Sequence, residues 1–204
     1  MTLVLVTPPD PVVSIEEAKA HLRIDHADED NLITALVEAA TATIDGRDGW
    51  LGRAIGVQTW DLSLDCGWWR GQGSVSGPHW WWGGYGTGWG IRLPLPPLRS
   101  VDTITYRNAA GTEQTLAPES YVVSGVGSGQ RGRVTLASGV EWPDVQAGPE
   151  ALTIRFTAGY EEVPAPIKAA ILLNTARLYE QRENPNSDLG GAAMALLGPY
   201  RVFA

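Results

Sequence analysis

A chain of 204 residues, 44% of them hydrophobic, is long enough to bury a real core and too apolar for global disorder. Its formal net charge of −8 argues against a protein that grips nucleic acid by neutralising phosphates. Cys66 is the only cysteine, which excludes an intrachain disulfide and a cysteine-based zinc site and makes an intracellular origin the easier reading.

The charge is unevenly spread. Residues 1–50 hold ten acids and three bases, a net of −7, whereas residues 51–204 hold thirteen acids and twelve bases, a net of −1. A solvated acidic helix face explains this without any function; a surface that repels DNA sliding past it is the functional alternative. At the N-terminus, Leu3 to Val6 is an apolar run with no basic segment before it, ended by Pro8 and Pro9, so it is not read as a targeting signal. No later apolar stretch is long enough to span a bilayer, and a soluble protein is expected.

Ser14-Ile15-Glu16-Glu17 has the form of a capping box, which predicts a short helix over about 14–22. A second helix is predicted over about 28–46, with Glu29 and Asp30 favourably placed against its N-terminal dipole. Its apolar residues form two adjacent rows, Leu32–Leu36–Ala40 and Ile33–Val37–Ala40–Ile44, giving a wide buried stripe. The period then changes from 3.6 to 2. Val57 to Asp65 alternates, with Gln58, Trp60, Leu62 and Leu64 on one face. Further short strands are predicted at Ile91–Leu95, Val101–Tyr106, near Thr115, at Tyr121–Ser124, Arg133–Leu136 and Leu152–Thr157. Their close spacing suits an antiparallel meander rather than a parallel sheet with crossover helices. Helix returns over about 165–183, with Pro164 and Pro166 in the first turn, where proline costs little. Asn184-Pro185-Asn186 breaks it, and a last short helix capped by Ser187 or Asp188 runs to Leu197.

The fold class is therefore α+β: two N-terminal helices and a long C-terminal helix form a helical core, with a large antiparallel β insertion over about 55–160. Residues 1–186 form the main domain and 187–204 a C-terminal helix and tail. Leu189, Met194, Leu196, Leu197, Tyr200, Val202 and Phe203 make that tail apolar, and a helix so short is marginal alone in water, so it should order on a partner or fold back on its own domain.

No catalytic constellation emerges. His21 and His26 are five apart and lack the i, i+4 pairing of a helical metal site, and His79 stands alone. No serine sits in a G-x-S-x-G elbow. The glycine-rich run Gly83 to Gly90 lacks the G-K-[ST] ending of a phosphate loop and leads into a strand rather than a helix. Asp28, Glu29 and Asp30, like Glu161 and Glu162, are accounted for as helix-start residues. No catalytic, cofactor-binding or metal-binding residue is assigned.

The most unusual stretch, Gly67 to Gly90, contains six of the nine tryptophans: Trp68, Trp69, Trp80, Trp81, Trp82 and Trp89. Each tryptophan can bury ~150–250 Å², so six left in water would be a large exposed apolar patch. Three readings stand: packing on the chain's own sheet or a neighbouring subunit, contact with another protein, and a sugar-stacking platform. The last would make the chain a carbohydrate- or cell-surface-binding module.

Ser14 to Asp25 (SIEEAKAHLRID), the following Asp30-Asn31-Leu32-Ile33 and Gly52-Arg53 resemble the opening of the phage gp6-like head–tail connector family. Leu95-Pro96-Pro97-Leu98-Arg99-Ser100-Val101 resembles its central strand motif, and Phe156-Thr157-Ala158-Gly159-Tyr160 followed by Val163 to Ala170 its return to helix. Tyr179-Glu180-Gln181-Arg182-Glu183 and Ala195 to Arg201 resemble its end. The ordered set runs through nearly the whole chain; the tryptophan-rich stretch is the departure, and its role is not carried over. The resemblance implies a non-enzymatic virion protein, made in the host bacterial cytoplasm and located in the neck. It implies a homo-oligomeric ring of about twelve copies beneath the portal protein, which it would bind. DNA would pass through the ring without sequence-specific binding, no membrane would be involved, and the tail side would meet the next connector, a stopper or tail terminator. In related adaptors the C-terminal segment docks on the portal, which here points to Leu189, Met194, Leu196, Leu197, Tyr200, Arg201, Val202 and Phe203. Arginine outnumbers lysine thirteen to two, which fits interfaces built on bidentate pairing to carboxylates, and which GC-rich coding would also produce.

Overall fold

The computed structural model describes residues 1–65, 90–181 and 189–203. It is an α+β protein that divides into two compact units, one of residues 1–8 and 58–158 and the other of residues 9–57 and 159–204.

The helical unit holds α1 (Ile15–Leu22), α2 (Asp30–Ala42), α3 (Ala165–Glu180) and α4 (Gly191–Leu197). The capping box read from the sequence is present: Ser14 Oγ accepts from the Glu17 N–H at 3.1 Å, and Glu17 Oε2 accepts from the Ser14 N–H at 3.0 Å. Ser14→Ala removes both the acceptor and the reciprocal geometry and is expected to lower stability by about 1 kcal/mol, read as a shift in the urea midpoint. α2 ends earlier than its apolar rows suggest. After Ala42 the chain turns at Asp45, whose Oδ1 accepts from the Ile55 N–H at 2.7 Å and so ties the end of the helix to the strand-bound segment. Of the two rows on α2, the Ile33–Val37–Ala40–Ile44 row is the buried one, while Leu32 faces outward. The buried row meets Ile167, Ala170 and Ile171 of α3 and Ala18 of α1 in one core. Burying one such isoleucine contributes roughly 1.5–3 kcal/mol.

The β unit holds β1 (Thr2–Thr7), β2 (Gln58–Leu64), β3 (Gly90–Arg92), β4 (Leu98–Arg107), β5 (Glu113–Thr115), β6 (Tyr121–Ser124), β7 (Arg133–Leu136) and β8 (Leu152–Ala158). They form an antiparallel five-stranded sheet in the order β1-β2-β8-β4-β5 and a three-stranded sheet in the order β3-β7-β6. β1 is the element that the sequence reading left unassigned: Leu3 to Val6 show no alternation and no length to speak for a strand, yet they pair with Trp60 to Leu62. The β unit thus takes in the N-terminal residues as well as the central ones.

The larger sheet is two-faced, as antiparallel sheets commonly are. On its apolar face Trp60 stands opposite Phe156 and Leu62 opposite Ile154, all four buried. On the other face the same strands pair polar side chains: Thr59 with Thr157 at 3.3 Å, Ser63 with Thr153 at 3.2 Å, and Arg155 with Asp61 through two bonds of 2.8 and 2.7 Å. That fork raises the Arg155 guanidinium above its ordinary value. β4 joins β8 with two register shifts, at Leu98/Ser100 and Val101/Thr103, the irregularities by which a strand bends. The turn before β7 closes on β4 at Leu98. Gly132 lies so near that side chain that a Cβ there would overlap it, and the Gly127 N–H donates to the Leu98 carbonyl at 2.7 Å.

Candidate interaction surfaces

Among the described residues no group of three or more His, Cys, Asp or Glu side chains is arranged to hold a metal, and no helix is long and apolar enough to cross a membrane.

The C-terminal segment is the first. Its apolar residues divide into two sets. Ala193 and Leu197, four apart, lie on one side of α4, Leu189 precedes the helix, and all three are buried in the core that includes α3. Leu189 and Leu197 therefore anchor the segment to its own unit and do not face outward. Leu196 and Tyr200 are partly buried beside that core. Met194 and Phe203 point away, 39% and 74% exposed. The marginal helix does have a folding partner within its own unit, and what it presents outward is narrower than its composition suggests.

The tail beyond α4 is held by contacts that the sequence reading missed. The Arg201 guanidinium lies 4.3 Å from the centre of the Trp50 ring and 4.9 Å from that of Phe203, a cation between two aromatic faces. The Val202 N–H donates to the Leu51 carbonyl at 2.8 Å. Gly52 makes the approach feasible: its φ is +64°, and a Cβ there would stand 2.7 Å from the Val202 carbonyl oxygen. The signal in the sequence is the tryptophan between glycines, Gly49-Trp50-Leu51-Gly52.

The second surface is the acidic face of the helical unit. Some of its charge is internally engaged: Lys19 bonds Asp30 at 2.7 Å, and the Tyr179 hydroxyl donates to Glu29. Glu16, Asp25, Asp28 and Glu38 remain exposed. His21 and His26 are exposed too, His26 lying 3.7 Å from Asp28.

The β unit supplies two more surfaces. β1 is an edge strand without a charge or a proline, and Val4, at 51%, is the most exposed of its apolar residues. Edge strands of this kind usually carry a protective charge. The smaller sheet carries two arginines on its outer side, Arg92 of β3 standing opposite Arg133 of β7, and Arg131, just before β7, is partly buried. Burial, and after it the charge of Arg92, hold Arg131 below the ordinary arginine value. On the neighbouring strand β6, burial and then Asp102 raise the Tyr121 hydroxyl. Trp68, Trp69, Trp80, Trp81, Trp82 and Trp89, like His79, lie outside the described residues.

Comparison with known proteins bears out the resemblance read from the sequence. Residues 12–58 match the model of the phage gp6-like head-tail connector protein family. No curated protein matches the chain. Among solved structures, a chain from the virion of a native gene transfer agent (GTA) particle is 25% identical with a TM-score of 0.74, the match covering all of this chain and 97% of that one. A chain from the neck of an empty GTA particle computed with C6 symmetry gives 24% identity and a TM-score of 0.74 over the same shares. One from the neck of a native GTA particle computed with C12 symmetry gives 23% and 0.71, again over all of this chain and 97% of that one. At these identities the last two speak to the fold, and they carry it through both units.

Proposed function

We propose that this chain is a structural head–tail connector of a phage or phage-like particle, located in the virion neck, where copies of it form a ring beneath the portal. The observation that carries the reading is the coincidence of two independent matches: a connector family model on α1, α2 and the start of β2, and a whole-chain fold shared with GTA particle proteins. The chain acts by shape and contact rather than by catalysis. About twelve copies form the ring, each using one surface for the preceding copy and a different one for the next, as closure requires. The ring continues the DNA channel without sequence-specific binding, and its far side meets the next tail-side connector.

The C-terminal segment is the portal-docking element. Leu189 and Leu197 fix its base in the core, and Met194, Leu196, Tyr200, Arg201, Val202 and Phe203 provide the contact. Each contact is modest, and a ring makes many at once. The tryptophan-rich stretch with Trp68, Trp69, Trp80, Trp81, Trp82 and Trp89 is proposed as a further contact with a neighbouring subunit or neck protein. A cryo-electron microscopy map of the particle neck tests the reading: density for this chain in the layer below the portal is the expected result, and its placement in the tail tip or its absence from the particle would overturn it.

A further inference from the structure

The outer face of the smaller sheet carries a charge conflict. Arg92 and Arg133 are register partners on β3 and β7, and the ladder runs on through the Leu93 N–H, which donates to the Gly132 carbonyl at 2.9 Å. Side chains alternate along a strand. Ile91, Leu93 and Val134 therefore go to the inner side, where all three are buried, and Arg92 and Arg133 share the outer one. Like charges directly opposite destabilise a strand pair. Gly90 gives the Arg133 stem room: a Cβ there would stand 2.7 Å and 2.8 Å from Cδ and Cγ of Arg133, so glycine is what lets that stem lie across β3. Among the described residues, neither the Arg92 nor the Arg133 side chain meets a carboxylate of its own chain. Val122 of β6, opposite Thr135 and 53% exposed, adds an apolar spot on the same side.

A face that costs the folded subunit stability makes physical sense when something anionic covers it. The chain itself supplies a candidate. Residues 9–57 and 159–204 hold fifteen acids and eight bases, a net of −7, and residues 1–8 and 58–158 hold eight acids and seven bases, a net of −1. The whole net charge of −8 is thus carried almost entirely by the helical unit, with Glu16, Asp28 and Glu38 exposed on it. A ring contact joins two different surfaces of identical subunits, so one basic and one acidic surface on each copy are complementary. DNA phosphate is the other anion such a face would take, and the overall negative charge of the chain opposes it.

We propose that the outer face of β3-β7-β6, through Arg92 and Arg133, docks on the acidic helical unit of a second copy and forms the basic half of the subunit contact. The proposal rests on the ring reading given above and names the partner surface within it.

The test uses particles made in cells in which the gene is replaced by variants, with neck occupancy counted in cryo-electron micrographs. Arg92→Gln/Arg133→Gln relieves the repulsion while removing the docking charges. The expected result has opposite signs: an unchanged or raised melting temperature of the purified chain, and neck occupancy below about one tenth of wild type. Arg92→Glu/Arg133→Glu should lower occupancy further. Full occupancy by the glutamate variant overturns the proposal, as does a melting temperature of the glutamine variant depressed by more than a few degrees, which would make the arginines structural. Binding of duplex DNA by the purified wild-type chain, lost in the glutamine variant, would assign the face to phosphate and overturn it too. Absence of the wild-type chain from the neck brings down the ring reading itself, an outcome distinct from a normal ring with an indifferent arginine face.

Discussion

Met194→Ala/Phe203→Ala is expected to weaken portal binding by about 100-fold or more while the subunit stays folded. Both side chains project from the C-terminal segment, and Phe203 is 74% exposed, so truncating them removes little from the core; Arg201 loses one of its two aromatic faces and keeps Trp50. Surface substitutions of this kind usually fall within about 0.5 kcal/mol, a shift of roughly 2 °C or less for a chain of this size. Apolar anchors at the centre of a contact cost about 2 kcal/mol or more each when truncated, and every 1.4 kcal/mol is about tenfold in affinity. The contrasting variant is Leu197→Ala. Leu197 is fully buried against α3, so its loss should cost about 2–5 kcal/mol of stability, read in the melting temperature before any docking is measured. Interferometry against isolated portal rings, with both variants at matched folded concentration, separates the two effects. Wild-type affinity in the double variant would mean that the portal contact lies elsewhere.

That contrast depends on a division that composition does not reveal. The tail is apolar throughout, and read as a string its residues are equivalent. The spacing of Ala193 and Leu197 puts them on one side of α4, and a receptive core on α3 turns that side, with Leu189 just before the helix, inward. The same rule explains what was legible elsewhere. Ser14 and Glu17 are three residues apart, and the hydrogen bonds between them are local, so the motif carries its own geometry. The alternation from Gln58 to Leu64 fixes a face because period two is intrinsic to an extended chain. Contacts between distant segments are another matter. Leu3 to Val6 become a strand only because β2 offers an edge, and Arg201 finds Trp50 only because Val202 runs beside Leu51. Arg133 alternates with Val134 within its own strand, but the conflict with Arg92 exists only once the β3–β7 register is known.

The register of the larger sheet sets up the other large effect. Phe156 lies on β8, which is paired along both edges, with Trp60 opposite on β2 and Val101 opposite on β4. It is fully buried, and its neighbours on the same side of the strand, Ile154 and Ala158, are buried as well. Phe156→Ala should therefore cost about 3–5 kcal/mol, the lost transfer energy plus the cavity that rigid flanking strands cannot close. Hydrogen exchange gives the clearest readout, because amides of a central strand open only with the larger unfolding events of their unit. Protection at Leu62 and Ile154 should fall by roughly 10²- to 10⁴-fold, since each 1.4 kcal/mol is about tenfold. Val4→Thr supplies the control on the same sheet. Val4 sits on the exposed edge strand β1, and its substitution should move those amides little. Equal losses of protection in the two variants would contradict the placement of β8 at the centre. The neighbouring sheet meets β4 at Leu98, through the Gly127 N–H and the close approach of Gly132, so a substitution that loosens β8 against β4 should also blur the arginine face.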